Sequence, residues 1–198
     1  MLADGFHDIP AGKVAMIVTH LEMRKAPDLK PLTLTEGVTF RPVEATPEWY
    51  RDVYTRVGAR EWLWFSRLEL DDMGLSNIIN DPKVEIFTLE KDGQDEALLE
   101  LDFRVDGECE LAFFGLTRAL IGAGAGRYLM NEAITRAFAR GVHRFHVHTC
   151  TIDSPQALSF YRRSGFTPTR QQVEVADDPR VLQLLPSDAG PNVPIFRP

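Results

Sequence analysis

From Gly122 to Gly126 the chain reads Gly-Ala-Gly-Ala-Gly, and a helical stripe begins directly after it. Tyr128, Leu129, Ala133, Ile134, Ala137 and Phe138 recur at helical spacing as far as Gly141, a natural stop. Upstream, Glu108 to Leu116 reads as a strand. A strand joined to a helix through residues this small is a strong constraint. Glycines there let a ligand approach the main chain, and the helix N-terminus offers unpaired N–H groups and a positive dipole end. The segment reads as a cradle for phosphate or pyrophosphate; the plainer reading is a helix start packed with small residues. The spacing of Gly122, Gly124 and Gly126 is not GxGxxG, and no downstream acid completes a βαβ fingerprint. Gly126 is followed by Arg127-Tyr128, not the Lys-Ser/Thr of a P-loop.

Around this junction the periodicity predicts an α/β chain. Val84 to Glu90, Glu96 to Val105 and Glu108 to Leu116 form a strand meander, with a turn at Lys91-Asp92-Gly93-Gln94. Asp106-Gly107 is read as a type I′ hairpin, in which both central residues take positive φ. Val142 to Thr149 is a further strand, Ser154-Pro155 opens a helix that Ser164-Gly165 closes, and Phe166 to Val175 is the last strand. Earlier, Lys13 to Met23 and Val38 to Val43 read as strands separated by an exposed Pro- and Lys-containing linker. Thr46-Pro47-Glu48 starts a helix carrying Trp49, Tyr50, Val53 and Tyr54, which Gly58 interrupts; Asp71 or Asp72 caps another.

The length, 198 residues, suits one domain. With 22 basic and 29 acidic residues the net charge is −7, which argues against nucleic acid as a partner. The apolar run Val14 to Val18 is too short to cross a bilayer, and MLADGFHDIP lacks the basic segment of a secretory signal, so a cytoplasmic protein without a membrane partner is expected. Cys109 and Cys150 read as free thiols. His146, His148 and Cys150 alternate onto one strand face, but no fourth ligand presents itself and no metal is assigned.

Ile121-Gly122-Ala123-Gly124-Ala125-Gly126 resembles the Arg/Gln-x-x-Gly-x-Gly/Ala loop of GNAT acetyltransferases. Gly124 and Gly126 fill the two small positions; Ile121 stands where the family prefers Arg or Gln. Downstream, Ser154, Ala157, Tyr161, Gly165 and Phe166 follow the family's Asn-x-x-Ala-x-x-x-Tyr-x-x-x-Gly-Phe pattern, with Ser154 replacing the Asn. The resemblance spans residues 38–175, leaving 1–37 as an N-terminal strand and linker arm and 176–198 as a Pro-rich tail over the surface. It implies an α/β GNAT fold: a central mixed, mostly antiparallel sheet with splayed fourth and fifth strands and helices on both faces.

The same resemblance implies acetyl-CoA (coenzyme A) as cofactor and transfer of its acetyl group to a primary amine of a small molecule or peptide. Main-chain groups of Leu116, Thr117 and Arg118 would meet the pantetheine arm, and the Leu116 amide would polarise the acetyl oxygen. The loop from Ile121 through Gly122, Ala123, Gly124, Ala125 and Gly126 to Arg127 would take the pyrophosphate. Ser154, Ala157 and Tyr161 would border the arm, with Tyr161 matching the tyrosine that protonates the departing thiolate. Glu110 lies where some members place a catalytic glutamate, and simple alternation puts it, with Glu108, on the same strand face as Leu116. A water-relayed path is the alternative to Glu110, and His148 is a candidate relay. Trp62, Trp64 and Phe65 are either an acceptor wall or core. A non-catalytic acyl-CoA-binding sensor of the same fold is the competing function. The spare N-terminal strand is compatible with a homodimer.

Overall fold

A computed structural model describes residues 3–122 and 124–198. Ala123, part of the expected loop, lies outside the described residues. The strands are β1 (Lys13–Met23), β2 (Val38–Pro42), β3 (Val84–Lys91), β4 (Gln94–Asp95), β5 (Ala97–Asp102), β6 (Glu108–Leu116), β7 (Arg144–Cys150) and β8 (Thr167–Asp177). They make one open mixed sheet in the order β2-β3-β5-β6-β7-β1-β8, with β4 paired to β3. Among the described residues β6 and β7 are the parallel pair; the other neighbours are antiparallel.

Helices cover both faces. On one, α4 (Ala125–Ala139) and α5 (Ala157–Arg163) pack on Leu99, Leu101, Leu111, Phe145 and Val147. On the other, α1 (Pro47–Tyr54), the short α2 (Arg60–Trp62) and α3 (Asp72–Ile79) enclose a core of Tyr50, Val53, Tyr54, Leu75, Ile86 and Leu98. Thr46 caps α1 by accepting from the Trp49 amide at 3.2 Å, with Pro47 at the first position. Asp71 caps α3 through the Gly74 amide at 2.7 Å.

Three features differ from the sequence expectation. Gly58 does not end the helical run; the chain passes from α1 through a π-helical turn, Thr55–Ala59, into α2. The turn with two residues at positive φ is Asp92-Gly93 (53° and 78°), whereas at Asp106-Gly107 Gly107 alone takes positive φ. There β5 ends early, because Asp102 turns back to bind the Arg104 amide at 2.8 Å. Finally, β1 is no detached arm. It lies inside the sheet, pairing with β7 through Val18–Met23 and with β8 through Lys13–Glu22. Both of its edges are taken, which removes the spare strand that was compatible with a homodimer.

The tail, too, is built in. Asp178 and Arg180, 1% and 4% exposed, form a buried ion pair at 2.6 Å. The Arg180 guanidinium also donates to the carbonyls of Ala189, Val193 and Pro194 at 3.2, 2.8 and 3.2 Å. A buried guanidinium needs this many acceptors. Its donors thereby fold residues 178–198 against the core, where Leu185 and Ala189 are buried.

Candidate active site

β6 and β7 run in register only from Glu108↔Arg144 to Glu110↔His146. Past that point they part, and a cavity of about 640 Å³ opens between them. These two strands are the splayed pair that the resemblance counts as fourth and fifth.

The parting coincides with a β-bulge. Glu100 pairs with Phe113 but Leu101 pairs with Leu111, so Ala112 is an extra residue in β6. Simple alternation therefore fails along this strand. Glu110, Phe113 and Gly115 share the face of Glu100 and Leu98, while Leu111, Phe114 and Leu116 face the α4 side with Leu99 and Ala97. Glu110 is thus not on the face of Leu116, as alternation had it. The cleft has one wall on each side of the sheet.

On the α4 side the wall is the glycine loop and α5. Gly122 and Gly124 have φ of 89° and 75°, and the position of a Cβ on either meets nothing within 4 Å. Space that a side chain would fill is held open beside the main chain. Ala125 and Gly126 start α4, where amides have no intrahelical acceptor, while the Arg127 and Tyr128 amides bond back to the Gly124 carbonyl at 3.0 and 3.1 Å. Gly126 sits against Leu116, with 3.1 Å between its Cβ position and Cδ1. These features fit a bound diphosphate.

Leu116, Ile121, Gly122, Gly124, Gly126 and Arg127 line the main cavity, as do Ser154, Ala157 and Tyr161. Thr117 and Arg118 instead border an adjoining cavity of about 250 Å³. Thr117 is tied to Glu96 through its hydroxyl and by its amide at 2.9 Å, and the exposed Arg118 guanidinium pairs with Glu61 at 2.9 Å. Ala125 lines neither; its methyl is buried in the core.

Tyr161 is 7% exposed, its ring packed edge-on against Phe114, Phe160 and Phe166. Among the described residues its hydroxyl has no hydrogen-bond partner. Burial, and then the charge of Asp153, push the phenol well above its ordinary range, so it holds its proton throughout physiological pH.

On the opposite side the wall is assembled from distant segments. His148 Nδ1 lies 3.4 Å from Glu110 Oε1. This pairing holds the Glu110 carboxyl below the usual carboxylate range and raises the imidazole above the usual histidine value. Glu108 and His146 form a second pair at 3.5 Å, with Glu108 also bonded to Arg144 at 2.7 Å. Behind Phe113, the fully buried Glu100 accepts from Arg67 at 2.6 Å and from the Tyr50 hydroxyl. Arg67 also lies 4.9 Å over the Phe113 ring. Cys150 lines the cleft as well, but burial and then Asp153 push its thiol up to about 12, which disfavours a nucleophilic thiolate.

The segment Leu63-Trp64-Phe65 forms a strap that lines the cleft. Trp64 donates its indole N–H to Asp153 at 3.0 Å, and Asp153 also accepts from the Thr149 hydroxyl and the Cys150 amide. The indole packs beside Tyr54 and Phe113. Two glycines make room for it: a Cβ at Gly58 would lie 2.0 Å from the ring and one at Gly115 3.1 Å. Trp64 is packed on the core and also lines the cleft. The Trp64–Asp153 link and the Glu100–Arg67–Tyr50 cluster had no sequence signal beyond those two glycines.

A mixed sheet splayed at its parallel pair, with a glycine cradle at a helix N-terminus beside the gap, defines the class. A family model described as Acetyltransferase (GNAT) family matches residues 43–166, more than half of the chain. The chain belongs to the GNAT acetyltransferase family. A mycothiol acetyltransferase of Jonesia denitrificans is 36% identical over 64 residues, covering 32% of this chain and 20% of that protein. The chain thus matches about a fifth of the length of that curated relative. A GCN5-related N-acetyltransferase from Sphaerobacter thermophilus superposes with a TM-score of 0.54 at 15% identity, over 82% of this chain and 52% of that one. A GNAT-family acetyltransferase structure from Novosphingobium aromaticivorans gives 0.55 at 15% identity, over 85% and 68%. At these identities the structures share the fold.

Proposed function

We propose that this chain transfers the acetyl group of acetyl-coenzyme A to a primary amine of a small molecule or peptide, by direct attack in a ternary complex. The observation that carries the reading is the cavity between β6 and β7, which joins the glycine loop on one side to a carboxylate–imidazole pair on the other.

When bound, acetyl-coenzyme A supplies the thioester. The Gly124–Gly126 amides and the α4 dipole hold its diphosphate, and Ile121 leaves this work to the main chain. Arg127 lines the same wall and adds a cation. The exposed main chain of β6 near Leu116 orients the pantetheine arm and offers an amide to the acetyl oxygen. On the acceptor side His148, oriented by Glu110, takes a proton from the amine as the new C–N bond forms. Glu110 is then the orienting and charge-stabilising group, because its own lowered pKa makes it the weaker base. Tyr161 holds a proton facing the sulfur as the C–S bond breaks. With its raised pKa it would act as a hydrogen-bond donor to the negative charge developing on the sulfur, and the thiolate would leave as the anion or take a proton from solvent.

Release of free thiol from acetyl-coenzyme A with a panel of primary amines tests this, alongside calorimetry with coenzyme A, ATP and NAD. Coenzyme A binding with amine-dependent thiol release is expected. Binding of ATP or NAD in its place, or coenzyme A binding with no turnover on any amine, contradicts it.

A further inference from the structure

The family match ends at residue 166, yet the acceptor wall continues into segments outside it. Met16 of β1 and Glu174 of β8, which face each other across the sheet, both line the cleft. Residues 178–198 reach it indirectly, through the strap. Gly190 donates its amide to the Arg60 carbonyl at 2.9 Å, and Arg60 pairs with Asp188 at 2.8 Å. Gly190 has φ of 56°, and its Cβ position lies 2.3 Å from Leu63 Cγ. Leu63 itself is held at φ 52°, a left-handed conformation costly for a branched side chain. Val193 packs against the core cluster that contains Leu63, on which Trp64 and Phe113 also pack, and against Val14, Met16 and Val18, on which Phe65 and Cys150 also pack. The strap is therefore sandwiched between the cleft and the tail.

We infer that residues 178–198 are a brace that sets acceptor specificity by fixing Leu63-Trp64-Phe65 over the acceptor half of the cleft, with Gly190 as its positioning residue. The buried Asp178–Arg180 pair folds the brace; Gly190 and Val193 transmit its position to the strap. This rests on the acetyltransferase reading for the word acceptor, but the brace is a physical claim with its own readout. The atoms nearest the Gly190 Cβ position, among the described residues, are all of Leu63 and none belongs to the wall built on α4 and α5, so the brace acts on one substrate and not on the other.

The test is Gly190→Ala in the full chain, with Val193→Ala as a milder variant that introduces no positive-φ strain. Amide hydrogen exchange across residues 63–67 should speed up about tenfold in Gly190→Ala and less in Val193→Ala, since a local brace limits local opening. The Kd for coenzyme A should stay at its wild-type value. With tyramine, spermidine and glycinamide as probe amines, KM for those accepted should rise while kcat changes less. In a Leu63→Ala background, where the clashing side chain is gone, Gly190→Ala should add little, a non-additivity that a merely structural tail would not produce. Unchanged exchange at 63–67 with faster exchange at 190–196 overturns the inference, as does loss of coenzyme A affinity in parallel with the KM change. If the wild-type chain binds no coenzyme A, the acetyltransferase reading fails, and the exchange data still decide whether the brace exists.

Discussion

The two halves of the cleft are built in opposite ways. The half proposed to take the donor comes from two short contiguous stretches, Leu116 to Arg127 and Ser154 to Phe166, and what it offers a ligand is largely main chain. The half proposed to take the acceptor draws single side chains from β1, the α1–α3 region, β6, β7 and β8, with the buried Glu100 behind it. Backbone chemistry needs only small residues at fixed spacing, so a diphosphate cradle tolerates much surrounding change. Side-chain chemistry needs every contributor held from behind.

The contrast can be broken most severely at Gly124. Gly124→Glu should reduce coenzyme A affinity by about a hundredfold or more in calorimetry, because bulk and negative charge would occupy the anion cradle. The melting temperature should fall only slightly, since the Cβ meets open space and the positive φ costs about 1 kcal/mol. Wild-type affinity in that variant would remove the loop from the donor half.

Next in size is Tyr161→Phe, expected to lower kcat by about a hundredfold, within the range for removing one transition-state hydrogen-bond donor, while coenzyme A affinity stays unchanged. Equal turnover would leave Tyr161 as a packing residue among Phe114, Phe160 and Phe166.

Trp64→Phe sharpens the other side. It keeps an aromatic ring between Gly58 and Gly115 but deletes the hydrogen bond to Asp153 Oδ1, and acceptor KM should rise by about tenfold, in line with the loss of one hydrogen bond to a half-buried carboxylate. The donor Kd should not move; if both move together, the halves are not independent.

The smallest effect is on pH dependence. If His148 is the base, as proposed, the rate requires it neutral, and kcat/KM should climb as pH rises through the imidazole pKa, which Glu110 holds above the usual value of about 6.5. In Glu110→Gln the raising partner is gone, and the inflection should move to lower pH by about one unit or less. An inflection that stays in place would assign the titration to another group.

How legible each half was in the sequence follows from the same difference. Gly124, Gly126, Ala157 and Tyr161 could be placed because their spacing fixes their geometry within one loop and one helix. Glu110 was found but set on the wrong face, because nothing in ECELAFFGL marks Ala112 as the bulged residue. The position of β1 between β7 and β8 is likewise a long-range pairing that local alternation does not encode. Arg67, Glu100 and Asp153 carry no local mark in the sequence, since the partners that surround a charge come from far along the chain. The glycines at 58 and 115 were the available trace of the acceptor wall, and they signal it only once Trp64 is known to lie between them.

The most direct measurement is a crystal structure with coenzyme A bound. The account predicts the diphosphate on the amides of Gly124 and Gly126, the pantetheine arm between β6 and β7, and the sulfur beside the Tyr161 hydroxyl. A coenzyme bound elsewhere, or a phenol turned from the sulfur with the gap between the strands empty, would contradict it.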